Sequence, residues 1–269
     1  MGTRDQPLQD VGPHVDRQDF YWLRLPATGL CFLVFGIAAL LVGLVVLPVV
    51  RLFGGRGQRR ARAIVGAGLR WFVGFMRLVG VLRYCLRGFE KLGQPGQVIV
   101  ANHPTLIDVA FLLGFVPNAN CIVKSALFVH PVTRGAVIAA GYIPNAPADE
   151  MIHRAEQSLR DGQCLVIFPE GTRTVPGEAA RLQRGAANVA LRAASTLTPV
   201  FITCDPPTLS KNEPWYRIPA RRAHFTIRVG ENIELAAFRA ASLPGASRSL
   251  NSRVAELFTE ATKVRDSLA

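Results

Sequence analysis

Carboxylates are scarce in this 269-residue chain: nineteen Asp and Glu stand against thirty-one Lys and Arg, for a formal net charge of +12. A surface so short of acid suits an anionic partner, whether a phospholipid surface, an acidic carrier protein or nucleic acid. No nucleic-acid module occurs, and the basic residues flank apolar stretches, which selects the membrane. Cysteine is sparse, odd in number and widely spaced, at Cys31, Cys85, Cys121, Cys164 and Cys204, each in an apolar run. With no CxxC pair, neither a disulfide framework nor a thiolate metal site is expected, and the five read as reduced packing residues of a cytosol-facing domain. The histidines His14, His103, His130, His153 and His224 are scattered too, so no zinc site and no other metal is expected. There is no GxSxG elbow and no cysteine in a nucleophile's setting, which counts against a lipase-like serine hydrolase and a covalent intermediate. Internal repeats and long low-complexity linkers are also missing.

In one place charge is missing altogether. Residues 25–50 carry no charged side chain, a run of 26 that exceeds the ~20 residues a helix needs to cross the hydrocarbon core. We read 25–50 as a membrane helix, preceded by a polar tail over 1–24. Two placements fit, a tilted span and a dip into one leaflet. Gly29, Gly36 and Gly43 recur every seven residues and form a small-residue stripe on which another helix can pack. Arg51, Arg56, Arg59, Arg60 and Arg62 follow the run, against Arg4, Arg17 and Arg24 before it. That bias places the downstream domain on the cytoplasmic side of the cell membrane, the inner membrane if the cell is bacterial. Residues 51–81 form a basic amphipathic segment with a helix over 58–81. Arg59, Arg70 and Arg77 fall within roughly 20° of one another on its wheel, with Arg62 nearby and Trp71, Phe72, Phe75, Met76, Leu78 and Val79 over much of the rest. Such a helix lies at a membrane interface or packs on the globular domain; its place directly after the anchor favours the interface.

Residues 82–269 read as one α/β domain. Residues 82–87 alternate with a period of two. Short strands are expected at 97–101, 121–123, 142–143, 164–168, 198–203 and 224–229, and helices at 134–140, 149–160, 182–194 and 246–268. Strands alternating with helices predict a mostly parallel sheet flanked by helices.

Two stretches carry chemistry. The strand 97–101 runs into Asn102-His103-Pro104-Thr105-Leu106-Ile107-Asp108. Pro104 biases His103 away from helical geometry, so His103 is placed on a strand-to-helix turn and Asp108 on the following helix. On one continuous helix five residues would set the two side chains about 140° apart; with His103 off the helix, the carboxylate can fold back to the imidazole. Two readings fit this stretch alone: a His–Asp general base, or helix-start residues beside a turn histidine. The second stretch follows the strand 164–168 as Pro169-Glu170-Gly171-Thr172-Arg173. Asn102-His103 with Asp108 matches the form NHxxxxD, and Phe168 to Arg173 reads FPEGTR. In this order, about sixty residues apart, they resemble the two signature motifs of the glycerolipid (lysophospholipid) acyltransferase family, over roughly residues 82–233.

The resemblance implies direct acyl transfer without a cofactor. His103, held by Asp108, takes the proton of an acceptor hydroxyl, which attacks the thioester of acyl-CoA or acyl-carrier protein. It assigns Glu170 and Arg173 to the acceptor's polar head and adds Lys124, after the 121–123 strand, as a pocket cation. Backbone N–H groups around Gly171 and Thr172 are candidate oxyanion donors. Thr198-Pro199-Val200 resembles a fourth motif near the acceptor. The family's second motif carries an arginine for the acceptor phosphate; here Gly141-Tyr142-Ile143-Pro144-Asn145-Ala146 has none. That departure opens the acceptor to larger lysophospholipids or other hydroxylated lipids, with Arg184 able to compensate. Two other classes remain at this level: a lipid hydrolase using the same pair to activate water, and a non-catalytic anionic-lipid-binding membrane protein.

Overall fold

A computed structural model describes residues 20–46, 49–50, 56–145, 147–174, 181–240 and 242–266. Most of the predicted tail, Arg51 and Ala146 lie outside these residues. The strands are β1 (Leu82–Arg87), β2 (Gln97–Ala101), β3 (Ala119–Val123), β4 (Ile143–Pro144), β5 (Cys164–Ile167), β6 (Thr196–Asp205) and β7 (Ala223–Val229). They form one sheet in the order β1-β7-β6-β2-β5-β3-β4. Every pairing is parallel except β6 with β7. Every residue of β2 and β5 is buried, because central parallel strands are covered on both faces, and Val-Ile-Val and Leu-Val-Ile therefore read as unbroken apolar runs. In β7 Phe225 and Ile227 are buried while His224 and Arg228 are exposed, as its alternating sequence anticipates.

One face of the sheet is covered by α2 (Arg56–Leu78), α3 (Asp108–Phe115) and α4 (Arg134–Ala140), with α1 (Tyr21–Leu41) outside them. The other carries α5 (Ala148–Arg160), α6 (Gly185–Ala193), α7 (Ala236–Arg239) and α8 (Leu243–Asp266). The α/β class, the mostly parallel sheet and the flanking helices all match the sequence reading.

The helix after the anchor belongs to the domain. Phe72, Val73 and Met76 of α2 are buried in the same core as Phe111 and Leu112 of α3 and Ile99 of β2. The two helices approach closely where they lack side chains: a Cβ on Gly66 would lie 2.9 Å from the Leu113 carbonyl, and one on Gly114 would lie 2.9 Å from the Arg70 nitrogen. A division at residue 82 therefore does not separate α2 from the domain. Arg59, Arg70 and Arg77 are exposed, but Arg62 is not part of that stripe. It is buried, donating from Nε to Asn118 Oδ1 (3.0 Å) and from Nη1 to the Ala140 carbonyl (2.8 Å). Arg70 bonds the Gly114 carbonyl, and Arg77 lies over the Tyr84 ring.

The described stretch Tyr21–Leu44 is long and apolar enough to cross a membrane, with a mean hydropathy of 2.4. Only 11% of its most apolar window is buried, unlike the core helix of a soluble domain. It starts four residues before the uncharged run. Arg24 can be helical and buried there because its guanidinium donates to the backbone carbonyls of Ala220 and Arg221. Two glycines of the stripe find partners within the chain: Gly29 faces the Trp215 ring and Gly43 comes close to Gly135 of α4, while a Cβ on Gly36 would meet nothing within 4 Å among the described residues.

Replacing Arg62 by Met removes donors from the buried Ala140 carbonyl and the half-buried Asn118 amide oxygen, at a cost of about 1–3 kcal/mol. The expected result is a melting midpoint lowered by roughly 2–12 °C; an unchanged midpoint would mean that α2 does not brace the domain.

Candidate active site

The site stands at the carboxyl ends of β2 and β5, the edge of a parallel sheet where successive strands deliver their loops together. Asn102, just past β2, extends the ladder with its side chain: Nδ2 donates to the Ile202 carbonyl (2.8 Å) and Oδ1 accepts from the Ile202 N–H (2.7 Å). The backbone is thereby fixed one residue before His103. Thr105 then turns the chain into α3. Its N–H donates to Asp108 Oδ2 (2.7 Å) and its hydroxyl to Oδ1 (2.6 Å).

Asp108 is fully buried, and its Oδ2 also lies 2.9 Å from His103 Nδ1. Burial pushes this carboxyl above its ordinary value, while His103 and the two Thr105 donors pull it back toward the ionised form. A neutral imidazole that donates from Nδ1 to Oδ2 leaves its lone pair on Nε2. Among the described residues Nε2 has no hydrogen-bond partner, and the His103 side chain is 15% exposed. Phe168 stacks on the imidazole, with centroids 4.3 Å apart, and holds its plane. The arrangement is an oriented imidazole backed by a buried carboxylate, which is chemically able to take up a proton at Nε2.

The second stretch is tied to the first through Glu170. Its Oε1 accepts from the His103 backbone N–H (3.1 Å), and its Oε2 accepts from the Thr174 hydroxyl (2.7 Å). The Thr174 N–H donates in turn to the His103 carbonyl (2.7 Å). Glu170 thus braces His103, and no ion pair joins it to Arg173 among the described residues. Gly171 has a φ of +68°, and a Cβ there would come within 2.6 Å of Gln183 Nε2. Its N–H donates to the Phe168 carbonyl, which removes it as an oxyanion donor. Thr172 follows in the same turn, half-buried. Arg173 uses Nη1 to bind the carbonyls of Leu209 (2.9 Å) and Ser210 (2.8 Å).

Lys124 is exposed at the end of β3, the strand beside β5, and so stands on the same edge roughly two strand spacings (~10 Å) from β2. Arg184 is exposed at the entrance to α6. Neither is bonded to the His–Asp pair among the described residues. Thr198-Pro199-Val200 lies within β6, where buried Thr198 takes a hydrogen bond from Gln97 and gives one to Asn232. The short strand expected at 142–143 is found one residue further on, as the edge strand β4 of Ile143 and Pro144, both paired with β3. Burial pushes the thiols of Cys121, Cys164 and Cys204 up to about 12, which suits packing and disfavours nucleophiles. Among the described residues no group of three or more His, Cys, Asp or Glu could hold a metal ion.

Sequence reasoning missed Thr105, Thr174 and the stacking of Phe168. Thr105 had a signal: a hydroxyl residue three places before an acid is the pattern of a reciprocal turn at a helix start. Thr174 and Phe168 act through space, and nothing in their spacing shows it.

The acyltransferase family profile matches residues 83–203, the stretch that contains both motifs. Over that segment the chain is similar to an acyltransferase-family domain. The chain is 26% identical over 149 residues to a 1-acyl-sn-glycerol-3-phosphate acyltransferase of Pseudomonas aeruginosa, covering 53% of this chain and 58% of that protein. It is 32% identical over 113 residues to a Helicobacter pylori protein of the same description, covering 39% and 45%. The matched regions thus span about half the length of these relatives. The fold is shared with a crystal structure of the 1-acyl-sn-glycerophosphate (LPA) acyltransferase from Thermotoga maritima. The TM-score is 0.68 at 18% identity, over 92% of this chain and 98% of that one.

The Glu170 brace can be separated from any role of its charge. Glutamine can still accept from the His103 N–H and donate to the Thr174 hydroxyl, so Glu170→Gln should keep the melting midpoint within a few degrees. Glu170→Ala strands both donors, at about 1–3 kcal/mol for each that stays buried, and should lower the midpoint clearly. Equal losses in the two variants would contradict the brace.

Proposed function

We propose that this chain transfers a fatty acyl group from an acyl thioester to a hydroxyl of a lysophospholipid-type acceptor, with His103 as general base. The observation that carries the reading is the His103–Asp108 pair, with Nδ1 committed to the buried carboxylate and Nε2 left open at the sheet edge. Nε2 takes the acceptor's hydroxyl proton as its oxygen attacks the thioester carbonyl. Asp108 stabilises the imidazolium that forms. The tetrahedral intermediate collapses with cleavage of the C–S bond, and the thiolate leaves with the proton from Nε2. No protein nucleophile enters, in keeping with the buried thiols and a thioester's good leaving group.

The acceptor's phosphate falls to cations on the same edge. Arg173 spends only Nη1 on carbonyls among the described residues, so the rest of its guanidinium remains for a phosphate. Lys124 and Arg184 add positive charge. The donor is acyl-CoA or acyl-carrier protein. The names of the relatives support a glycerolipid acceptor, and the missing second-motif arginine leaves room for a larger head. The membrane is the site of action. α1 packs on the domain from Arg24 to Phe35, which supports a domain held close to the membrane surface, and the arginine excess after the apolar run supports the cytoplasmic side.

Purified protein in nanodiscs, given labelled acyl-CoA or acyl-carrier protein and a panel of lysolipids, should yield diacyl product. His103→Ala should lower turnover by roughly 10²–10⁴ while lipid binding persists. Release of free fatty acid alone would favour hydrolysis, and undiminished turnover in His103→Ala would remove the proposed base.

A further inference from the structure

The connection between β6 and β7, residues 206–222, is unlike a solvent loop. Its tip carries Trp215 and Tyr216 side by side, with ring centroids 5.8 Å apart, and they are 45% and 59% exposed. Lys211, Arg217, Arg221 and half-buried Arg222 stand against one carboxylate within the segment, Glu213, which turns inward to accept the Ser210 N–H, and Arg221 also pairs with Asp205 at its start (3.7 Å). Exposed aromatic rings interleaved with cations are what a headgroup region accommodates: the rings lie at the apolar boundary, and the charges meet lipid phosphates.

The segment is also continuous with the apolar helix. Trp215 packs on Phe32 of α1 at 5.8 Å, and its ring covers Gly29. Arg24 of α1 binds the carbonyls of Ala220 and Arg221 at the far end of the same segment. Next to this seam, Leu30 and Leu33 of α1 are exposed. At its near end the segment reaches the catalytic motifs. The Leu209 carbonyl accepts from both the Leu106 N–H and Arg173, and the Ser210 carbonyl also accepts from Arg173.

We infer that residues 206–222 are a second membrane-docking element, which lays Trp215 and Tyr216 into the headgroup layer of an anionic bilayer beside α1. Docked there, the segment sets the height of the site above the lipid surface, since its two ends hold α1 and the loops bearing His103 and Arg173. An acidic carrier protein would use the cations alone. The exposed aromatic pair and its seam with α1 favour lipid. The inference stands on this geometry independently of the acyl-transfer reading, and its test reads no turnover.

The chain has three tryptophans, Trp22, Trp71 and Trp215. With Trp22→Phe and Trp71→Phe, the full chain reports from Trp215 alone. In vesicles of phosphatidylcholine and phosphatidylglycerol, lipids brominated high on their chains should quench this emission more strongly than lipids brominated near the chain ends, and aqueous acrylamide should quench little. Lys211→Gln with Arg217→Gln should weaken the lipid quenching. Should the double tryptophan variant fold poorly, Tyr216→Cys carrying a bimane probe gives the same readout against the unsubstituted chain. Emission that acrylamide quenches freely and brominated lipid does not would overturn the inference. So would a response to acidic carrier protein in place of lipid.

Discussion

A fully buried carboxylate must be fully partnered, and Asp108 is the constraint on which the loop edge of the sheet depends. Removing a charge from water is costly unless its lone pairs find donors. Asp108 finds three, from His103 and from the backbone and hydroxyl of Thr105. Those contacts fix the turn from β2 into α3 and the plane of the imidazole in one act. The same burial keeps water from competing for the carboxylate, so the contact with Nδ1 is held, and the His103 side chain as a whole stays partly exposed.

Around that centre the fold supplies bracing from three directions. Asn102 locks the end of β2 to β6, Glu170 ties the backbone of His103 to the loop after β5, and Arg173 fastens that loop to the connection beyond β6. Three neighbouring strands thus end in loops bonded to one another. This explains why FPEGTR and NHxxxxD, far apart in the chain, form one unit. The helices α1 and α2 extend the bracing toward the membrane, with Phe35 against Phe72 and Arg24 on the β6–β7 connection.

Much of this was legible beforehand. The buried strands were visible because unbroken Val/Ile runs mark the centre of a parallel sheet, and the His–Asp encounter followed from Pro104 holding His103 off the helix. Other features escaped because they depend on contacts distant in the chain. Arg62 has the helical phase of a surface stripe, yet Asn118 and Ala140 draw it inward. Glu170 resembles a substrate ligand by position, and its bracing of His103 and Thr174, one hydrogen bond to each oxygen, was not visible in the spacing. Gly29 and Gly43 suggested a partner helix, and they meet Trp215 and Gly135 of their own chain. Periodicity reports which face is apolar; it does not report what that face will meet.

The tautomer of His103 tests the central claim most directly. In protein carrying nitrogen-labelled histidine, with His103 assigned by its loss in His103→Ala, the neutral imidazole should be protonated at Nδ1 and bare at Nε2, and Asp108→Asn should abolish that preference. A neutral ring protonated at Nε2, or a preference that persists without the Asp108 carboxylate, would contradict the account.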